Sequence, residues 1–203
     1  MSVITASSML GVAPAVPRDP IWRLSVQQYH EMIRAGILTD DDQVELLEGW
    51  LIYKMPKKPP HRIATRLTQK ALEAIVPAGW YVDAQEPITL ADSEPEPDVM
   101  IVRGATQDYF DRHPGAPDIA LLVEVADSTL ERDRGTKKRM YARADILVYW
   151  IVNLVENTCE VYSKPLVADA DYQQIDVYDL SSALPVLIEG REIGTVQVQD
   201  LLS

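Results

Sequence analysis

PDVMIV (residues 97–102), IALLVEV (residues 119–125) and LERDRGTKKRMY (residues 130–141) are the stretches that decide the fold. The first two have the short, apolar, β-branched content of buried strands, bounded by proline- and glycine-rich punctuation. Each nevertheless carries one carboxylate: Asp98 at the start of the first, Glu124 near the end of the second. Strands adjacent in sequence most often pair antiparallel, which sets the start of one beside the end of the other. Both carboxylates are therefore expected at the same edge of a sheet. Burying an ionised carboxylate is costly unless it is paired or bound to a metal, and two together repel. The usual remedy is a hard divalent cation with oxygen ligands.

The third stretch reads as a helix carrying Asp133, Lys137 and Tyr141 at intervals of four. Asp133 and Lys137 alone would be an ordinary surface ion pair at i and i+4, worth about 0.3–0.5 kcal/mol. Here the helix follows the Glu124 strand directly, so its first turns must return over the edge that holds the carboxylates. A lysine delivered there would complete a site for phosphodiester hydrolysis, with the cation activating water and the ammonium stabilising developing charge.

Around this centre, 203 residues that are 47% hydrophobic suffice for one sizeable core. The expected organisation is a loose N-terminal arm at 1–20, ordering against a partner subunit if at all, and a single domain at 21–203. One cysteine, Cys159, excludes an intrachain disulfide and a multi-cysteine zinc site, and with it the reading is a reducing, cytoplasmic compartment. No apolar run approaches the roughly 18 residues of a membrane span. Met1 to Val16 lacks the basic start of a signal peptide.

The net charge of −12 argues against a general nucleic-acid binder. Its distribution argues less strongly. Lys54, Lys57, Lys58, Arg62, Arg66 and Lys70 fall in one stretch with no acid among them, and Arg132, Arg134, Lys137, Lys138, Arg139 and Arg143 fall in another. These are either one phosphate-facing surface or two solvated helix faces.

In chain order, Ser25 caps a short helix that stops at Gly36 and carries His30, a histidine with no second at ligand spacing. Val44 to Glu48 and Trp50 to Met55 read as a strand, tight turn and strand broken by Gly49, with Glu45 and Glu48 as acids able to approach a metal. His61 to Val76 is helical, with Ile63, Leu67, Ala71, Leu72 and Ile75 as its apolar face. Arg62, Arg66 and Lys70 occupy its other face, and His61 at its start would reach a substrate phosphate or stand in solvent. Trp80 to Asp83 and Ile88 to Leu90 are short strands. A polar connection from Arg103 to Pro117 holds His113. Ser128 and Glu131 have capping-box spacing before the lysine-bearing helix. Ile146 to Val152, Cys159 to Tyr162 and Tyr172 to Tyr178 continue the strands, and Val196 to Leu202 is a short terminal element.

Taken together, VELLEG (44–49), EPDVMIV (96–102), LLVEVADSTLERDRGTK (121–137), YARA (141–144) and VYWIVN (148–153) resemble the Uma-type family of restriction endonucleases within the PD-(D/E)XK nuclease superfamily. The resemblance spans Ser25 to Tyr162 and is expected to run on to the C-terminus, leaving only the N-terminal arm outside. It implies an α/β (α+β) restriction-endonuclease-like fold, a mixed β-sheet flanked by helices, with Mg²⁺ as cofactor and Mn²⁺ as a substitute. Carried over residue by residue, it makes Asp98 and Glu124 metal ligands with the Val125 carbonyl as a third, and Glu48 or Glu45 the acid before the first strand. Lys137 becomes the catalytic lysine displaced onto the helix, because the superfamily's lysine position, two after the second acid, is Ala126 here. Asp133 and Tyr141 are supporting residues, and His61, Arg62, Arg66 and Lys138 are expected to bind substrate.

The function expected is a Mg²⁺-dependent DNA endonuclease, a hydrolase acting on ester bonds, working as a homodimer to cut both strands. Two alternatives stand beside it: a catalytically silent nucleic-acid-binding or regulatory module, which Ala126 and the acidic balance favour, and a hydrolase of small phosphoesters.

Overall fold

The computed structural model describes residues 20–202, so the expected N-terminal arm lies outside the described residues apart from Pro20. The chain begins with helix α1 (Val26–Arg34), hairpin β1 (Val44–Leu47) and β2 (Trp50–Tyr53), and helix α2 (Pro59–Glu73). Strands β3 (Trp80–Asp83), β4 (Val99–Arg103) and β5 (Ile119–Ala126) follow. A broken helix comes next, built of α3 (Leu130–Arg132), a π-helical turn (Asp133–Lys137) and α4 (Lys138–Arg143). Strands β6 (Val148–Asn153), β7 (Thr158–Leu166) and β8 (Asp171–Tyr178) complete the main sheet, and β9 (Ala183–Ile188), β10 (Arg191–Gln197) and α5 (Gln199–Leu202) close the described chain.

The main sheet has the order β3-β4-β5-β6-β7-β8. Every pair in it is antiparallel except β5 with β6. Parallel neighbours need a long crossover, and the broken helix between β5 and β6 supplies it. The result is the expected mixed sheet flanked by helices.

Both faces of the sheet are covered, so its central strands are buried along their whole length. On one face Val99, Ile101, Leu121, Val123, Val125 and Trp150 pack with Ala64 and Leu72 of α2, with the β9–β10 hairpin and with Leu201 of α5. On the other, Met100, Leu122, Ala126, Tyr149 and Ile151 pack with Met140 and Tyr141 of α4 and with Leu47 and Ile88. Strand alternation therefore assigns Glu124, between Leu122 and Ala126, to the face covered by α4. Its apolar neighbours contribute core; Glu124 interrupts their row.

Sequence signals account for the local structure. Ser25 accepts from the Gln28 N–H while Gln28 returns a bond to the Ser25 N–H, a complete capping box at the start of α1. The two hairpins outside the main sheet, β1–β2 and β9–β10, turn on a two-residue Glu-Gly loop with positive φ at each position, Glu48 (49°) with Gly49 (81°) and Glu189 (50°) with Gly190 (76°). That is the backbone a type I′ turn demands. Gly49 is doubly constrained, since a Cβ there would lie 2.6 Å from the Arg23 Cβ.

Two expectations are corrected, and one element stands where none was expected. The β9–β10 hairpin was not anticipated. Ile88 to Leu90 forms only an isolated bridge, Thr89 with Gly115. Helix α2 buries His61, Ala64, Thr65, Thr68 and Leu72, whereas Ile63 is half exposed; two buried threonines and a histidine hid the true inward face from a purely apolar count.

Candidate active site

The ladder between β4 and β5 pairs Val99 with Val123. One step further along that register places Asp98 opposite Glu124, at the rim of the sheet. The Val125 N–H donates to Asp98 Oδ2 at 2.9 Å, which ties the two strands together at this point. Both carboxylates are nearly inaccessible, Asp98 5% and Glu124 3% exposed. Both also line a narrow cleft of about 60 Å³, together with Glu45, Lys57, His61, Asp133 and Lys137. With roughly 10–15 Å³ needed per water, that is room for an ion and a few waters.

Each carboxylate has a different set of partners. Asp98 Oδ2 also meets His61 Nε2 at 3.1 Å, and its Oδ1 faces the Lys57 ammonium at 3.3 Å. Burial works to raise the Asp98 carboxyl. The His61 hydrogen bond, the charges of His61 and Lys57 and the Val125 N–H outweigh it and hold the group below its ordinary value. Glu124 Oε1 accepts from Lys137 Nζ and from the Tyr141 hydroxyl, each at 2.7 Å. Burial raises the Glu124 carboxyl above its ordinary value, with the Lys137 charge opposing and the Asp133 and Asp98 charges assisting. Burial also works against the Lys137 ammonium, but the charges of Glu124, Glu45 and Asp133 overcome it and keep its pKa above the usual lysine value.

The broken helix explains how Lys137 arrives. A π turn widens the backbone by one residue and is often found where a helix serves a site. Lys137 closes that turn and directs its ammonium to Glu124, with Glu45 at 3.9 Å. The i and i+4 surface pair with Asp133 is not what forms. Asp133 is buried and accepts from the Thr129 hydroxyl at 2.6 Å, and its backbone carbonyl accepts from Tyr149.

The residues present fit a divalent cation of one kind. Among the described residues no three His, Cys, Asp or Glu side chains gather closely enough to hold an ion by themselves. Two oxygen-donor carboxylates in a small polar cleft do fit Mg²⁺, which keeps several waters and takes one or two carboxylates. They do not fit a closed zinc or calcium cage.

Of the expected site residues, the structure brings together Asp98, Glu124, Lys137, Tyr141, Asp133 and His61. Four others are not brought to the cleft. Glu48 sits in the hairpin turn and is held by Arg139 at 2.6 Å and Arg143 at 3.3 Å; its neighbour in β1, Glu45, is the buried acid that lines the cleft. Lys138, one residue beyond the π turn, points away to Asp171 at 2.7 Å. Arg62 and Arg66 are exposed on α2 and are not part of the cleft wall.

What the sequence did not reveal is the strap KMPKK (54–58) between β2 and α2. Lys54 pairs with Glu96 at 2.7 Å, Lys57 with Asp98 at 3.3 Å and Lys58 with Asp127 at 3.0 Å. Each partner comes from another part of the chain, so no local spacing could have announced it.

Comparisons with known proteins agree with this architecture. The sequence matches the family Uma2, described as "Putative restriction endonuclease", over residues 26–196. Among solved structures it is similar to "a putative nuclease belonging to DUF820" from Anabaena variabilis, with 14% identity and a TM-score of 0.65 over 88% of this chain and 97% of that one. At that identity the likeness speaks for the fold. NucC of E. coli MS115-1 in its apo form matches with 16% identity over 44% of this chain and 48% of its own, and its TM-score of 0.29 carries no argument. No curated protein matches the sequence. No described helix is long and apolar enough to cross a membrane.

Proposed function

Because the chain belongs to the Uma2 family by a match over residues 26–196, we propose that it is a divalent-cation-dependent endonuclease that hydrolyses DNA phosphodiester bonds. The observation that carries this reading is the meeting of Asp98, Glu124 and Lys137 in one cleft, with Lys137 Nζ 2.7 Å from Glu124. Ala126 fills the position where the superfamily's lysine stands, and an ammonium arrives from the π turn instead. That arrival is what favours turnover over a silent binding module.

Asp98 and Glu124 are the residues that would hold the cation, with the Val125 carbonyl beside them. Mg²⁺, when bound, supplies Lewis-acid charge at the scissile phosphate and makes water a stronger acid. The chain's own part is positional. Val125 N–H and His61 fix one oxygen of Asp98, and Tyr141 and Lys137 fix one oxygen of Glu124, so both carboxylates are preorganised from behind. Lys137 stays protonated and orients the attacking water or stabilises charge on the phosphoryl oxygens. Exposed Arg62 and Arg66 on α2 supply charge to the backbone of the duplex beyond the cleft. A homodimer would cut both strands, and the compartment is the cytoplasm.

The test is cleavage of plasmid and linear duplex DNA with Mg²⁺ or Mn²⁺ by the wild type, Asp98→Ala, Glu124→Ala and Lys137→Ala. The reading expects cation-dependent cleavage by the wild type and a loss of at least about 100-fold in each variant, of the order seen when a charge-stabilising group is removed. Equal cleavage by all four proteins would reject this assignment.

A further inference from the structure

We propose that Lys57 is the resident counter-ion of Asp98: it yields its place to the incoming divalent cation, and its released ammonium then receives the substrate phosphate. This rests on the metal-dependent reading above and assigns a role to a residue that reading does not need.

The two oxygens of Asp98 are not equivalent. Oδ2 is bound from within the protein, by the Val125 N–H at 2.9 Å and His61 Nε2 at 3.1 Å. Oδ1 has the Lys57 ammonium, at 3.3 Å. That is the oxygen left for a cation, and a cation already occupies it. The two lysines that touch the carboxylate pair also differ. Lys137 is 5% exposed, makes a 2.7 Å bond to Glu124 and is locked in a helical turn. Lys57 has a side chain 39% exposed, a longer contact and a backbone in neither helix nor strand. Of the two, Lys57 is the one built to leave.

Its departure need not open the strap. Lys54 and Lys58 hold the segment on either side through Glu96 and Asp127, so only the Lys57 side chain has to rotate. A divalent ion at Oδ1 outcompetes the ammonium because it carries twice the charge at shorter range. Because the Lys57 end of this pair stands in solvent, the contact is weak and salt-sensitive, and it guards the buried carboxylate without blocking it. The freed ammonium remains on the cleft wall, where the phosphate must come. Metal and phosphate binding thereby strengthen each other, and such coupling is reciprocal.

The experiment is calorimetric titration of Mn²⁺, without DNA, into the wild type, Lys57→Met, Lys54→Met, Lys58→Met and Asp98→Ala. Lys57→Met is expected to bind Mn²⁺ about fivefold more tightly than the wild type, the competition of a pair whose lysine end is exposed being worth about 1 kcal/mol. Lys54→Met and Lys58→Met remove the same charge from the same strap but should change the affinity less than about twofold, since neither touches Asp98. Binding by Lys57→Met where the wild type shows none supports the proposal more strongly still. Unchanged or weaker binding in Lys57→Met overturns it, as does equal tightening in all three lysine variants, which would be a general charge effect. If Asp98→Ala abolishes binding while Lys57→Met behaves as wild type, the metal site stands and only the counter-ion role falls. If no protein binds Mn²⁺, both fall.

Discussion

Lys137 and Glu124 form a 2.7 Å ion pair in which both side chains are at least 95% buried, and Glu45 and Asp133 add their charges to the same ammonium. The lysine pKa is raised on folding, so its contribution to stability is complete below the unfolded value of 10.5 and is lost only as pH rises through the higher folded value. Lys137→Met leaves Glu124, Glu45 and Asp133 facing one another with only the Arg132 guanidinium, 3.8 Å from Glu45, to offset them. Removing one partner of a buried pair costs about 3–5 kcal/mol, and here the remaining acids can escape by protonating. The fall in melting temperature, followed by circular dichroism in EDTA, is therefore expected to be larger at pH 8 than at pH 5. An equal fall at both values would show that Lys137 does not neutralise this cluster.

Tyr141→Phe removes the second donor to Glu124 Oε1 without changing the volume of the core. The hydroxyl bonds a carboxylate at 2.7 Å in a fully buried position, a contact in the class worth about 1.5–3 kcal/mol. Tyr141 would not touch the cation; it aims Glu124, the carboxylate proposed to hold it. Loss of such a supporting bond typically weakens metal affinity about 10–100-fold. Mn²⁺ titration should show that weakening, and metal-free melting should show the stability loss. A variant with the stability loss but unchanged Mn²⁺ affinity would reduce Tyr141 to a structural role.

Asp98→Asn keeps the shape of the site and removes its lower-pKa carboxylate. At a concentration 100 times its dissociation constant, a bound ion stabilises the folded state by about 2.7 kcal/mol. The wild type should gain that stabilisation from Mn²⁺, and Asp98→Asn should gain almost none. Paired thermal melts with Mn²⁺ and with EDTA measure it directly.

The centre of this fold was legible because chemistry interrupted pattern. An acid at the head of DVMIV and another near the tail of IALLVEV stand out in apolar runs, and antiparallel adjacency is enough to join them. Tyr141 was reachable by counting fours, although a π turn, not a regular helix, sets the real geometry. The β9–β10 hairpin is hidden in the sequence despite the same Glu-Gly turn as β1–β2. Pro185 inside β9 demotes that run, since proline rarely sits within a strand, and Gly194 breaks the alternation of β10 where the register shifts. The strap lysines were visible as charge but not as partners, because Glu96, Asp98 and Asp127 meet them only after folding. Glu48 misled for the opposite reason: the hairpin turn aims it at Arg139 and Arg143, and only Glu45 faces inward.

Arg62→Ala and Arg66→Ala test the proposed duplex contact. Each lost phosphate contact reduces the slope of log affinity against log salt by about 1 and weakens binding on every sequence alike. Ca²⁺-supported DNA binding measured from 50 to 200 mM salt should show this. Lys138→Ala serves as the comparison, since its ammonium is committed to Asp171 outside the cleft, and it should leave both slope and cleavage unchanged. A slope that responds to Lys138 and not to Arg62 would place the DNA on the other side of the molecule.

Glu160 provides a pH test that involves no metal. Its carboxylate is 3% exposed and accepts from Arg134 at 2.7 Å, Asn153 at 3.1 Å and the Tyr162 hydroxyl at 2.6 Å. Burial works to raise its pKa, but the Arg134, Tyr162 and Asn153 bonds prevail and hold it below the ordinary 4.5. A depressed acid contributes stability that is present above its unfolded value and lost as pH falls through the folded one. The wild type should therefore lose stability on acidification below about pH 4.5, through this group among others. Glu160→Gln lacks that contribution, so the gap between the two proteins in urea unfolding should be about 1.5–3 kcal/mol at pH 7 and should narrow as the pH drops toward 3. Arg134 also pairs with Glu156 at 3.0 Å, a partner the substitution leaves in place, which limits the cost to the Glu160 bonds themselves. A gap that stays constant from pH 7 to pH 3 would mean that packing around Tyr162, and not the ionised carboxylate, is what the variant disturbs.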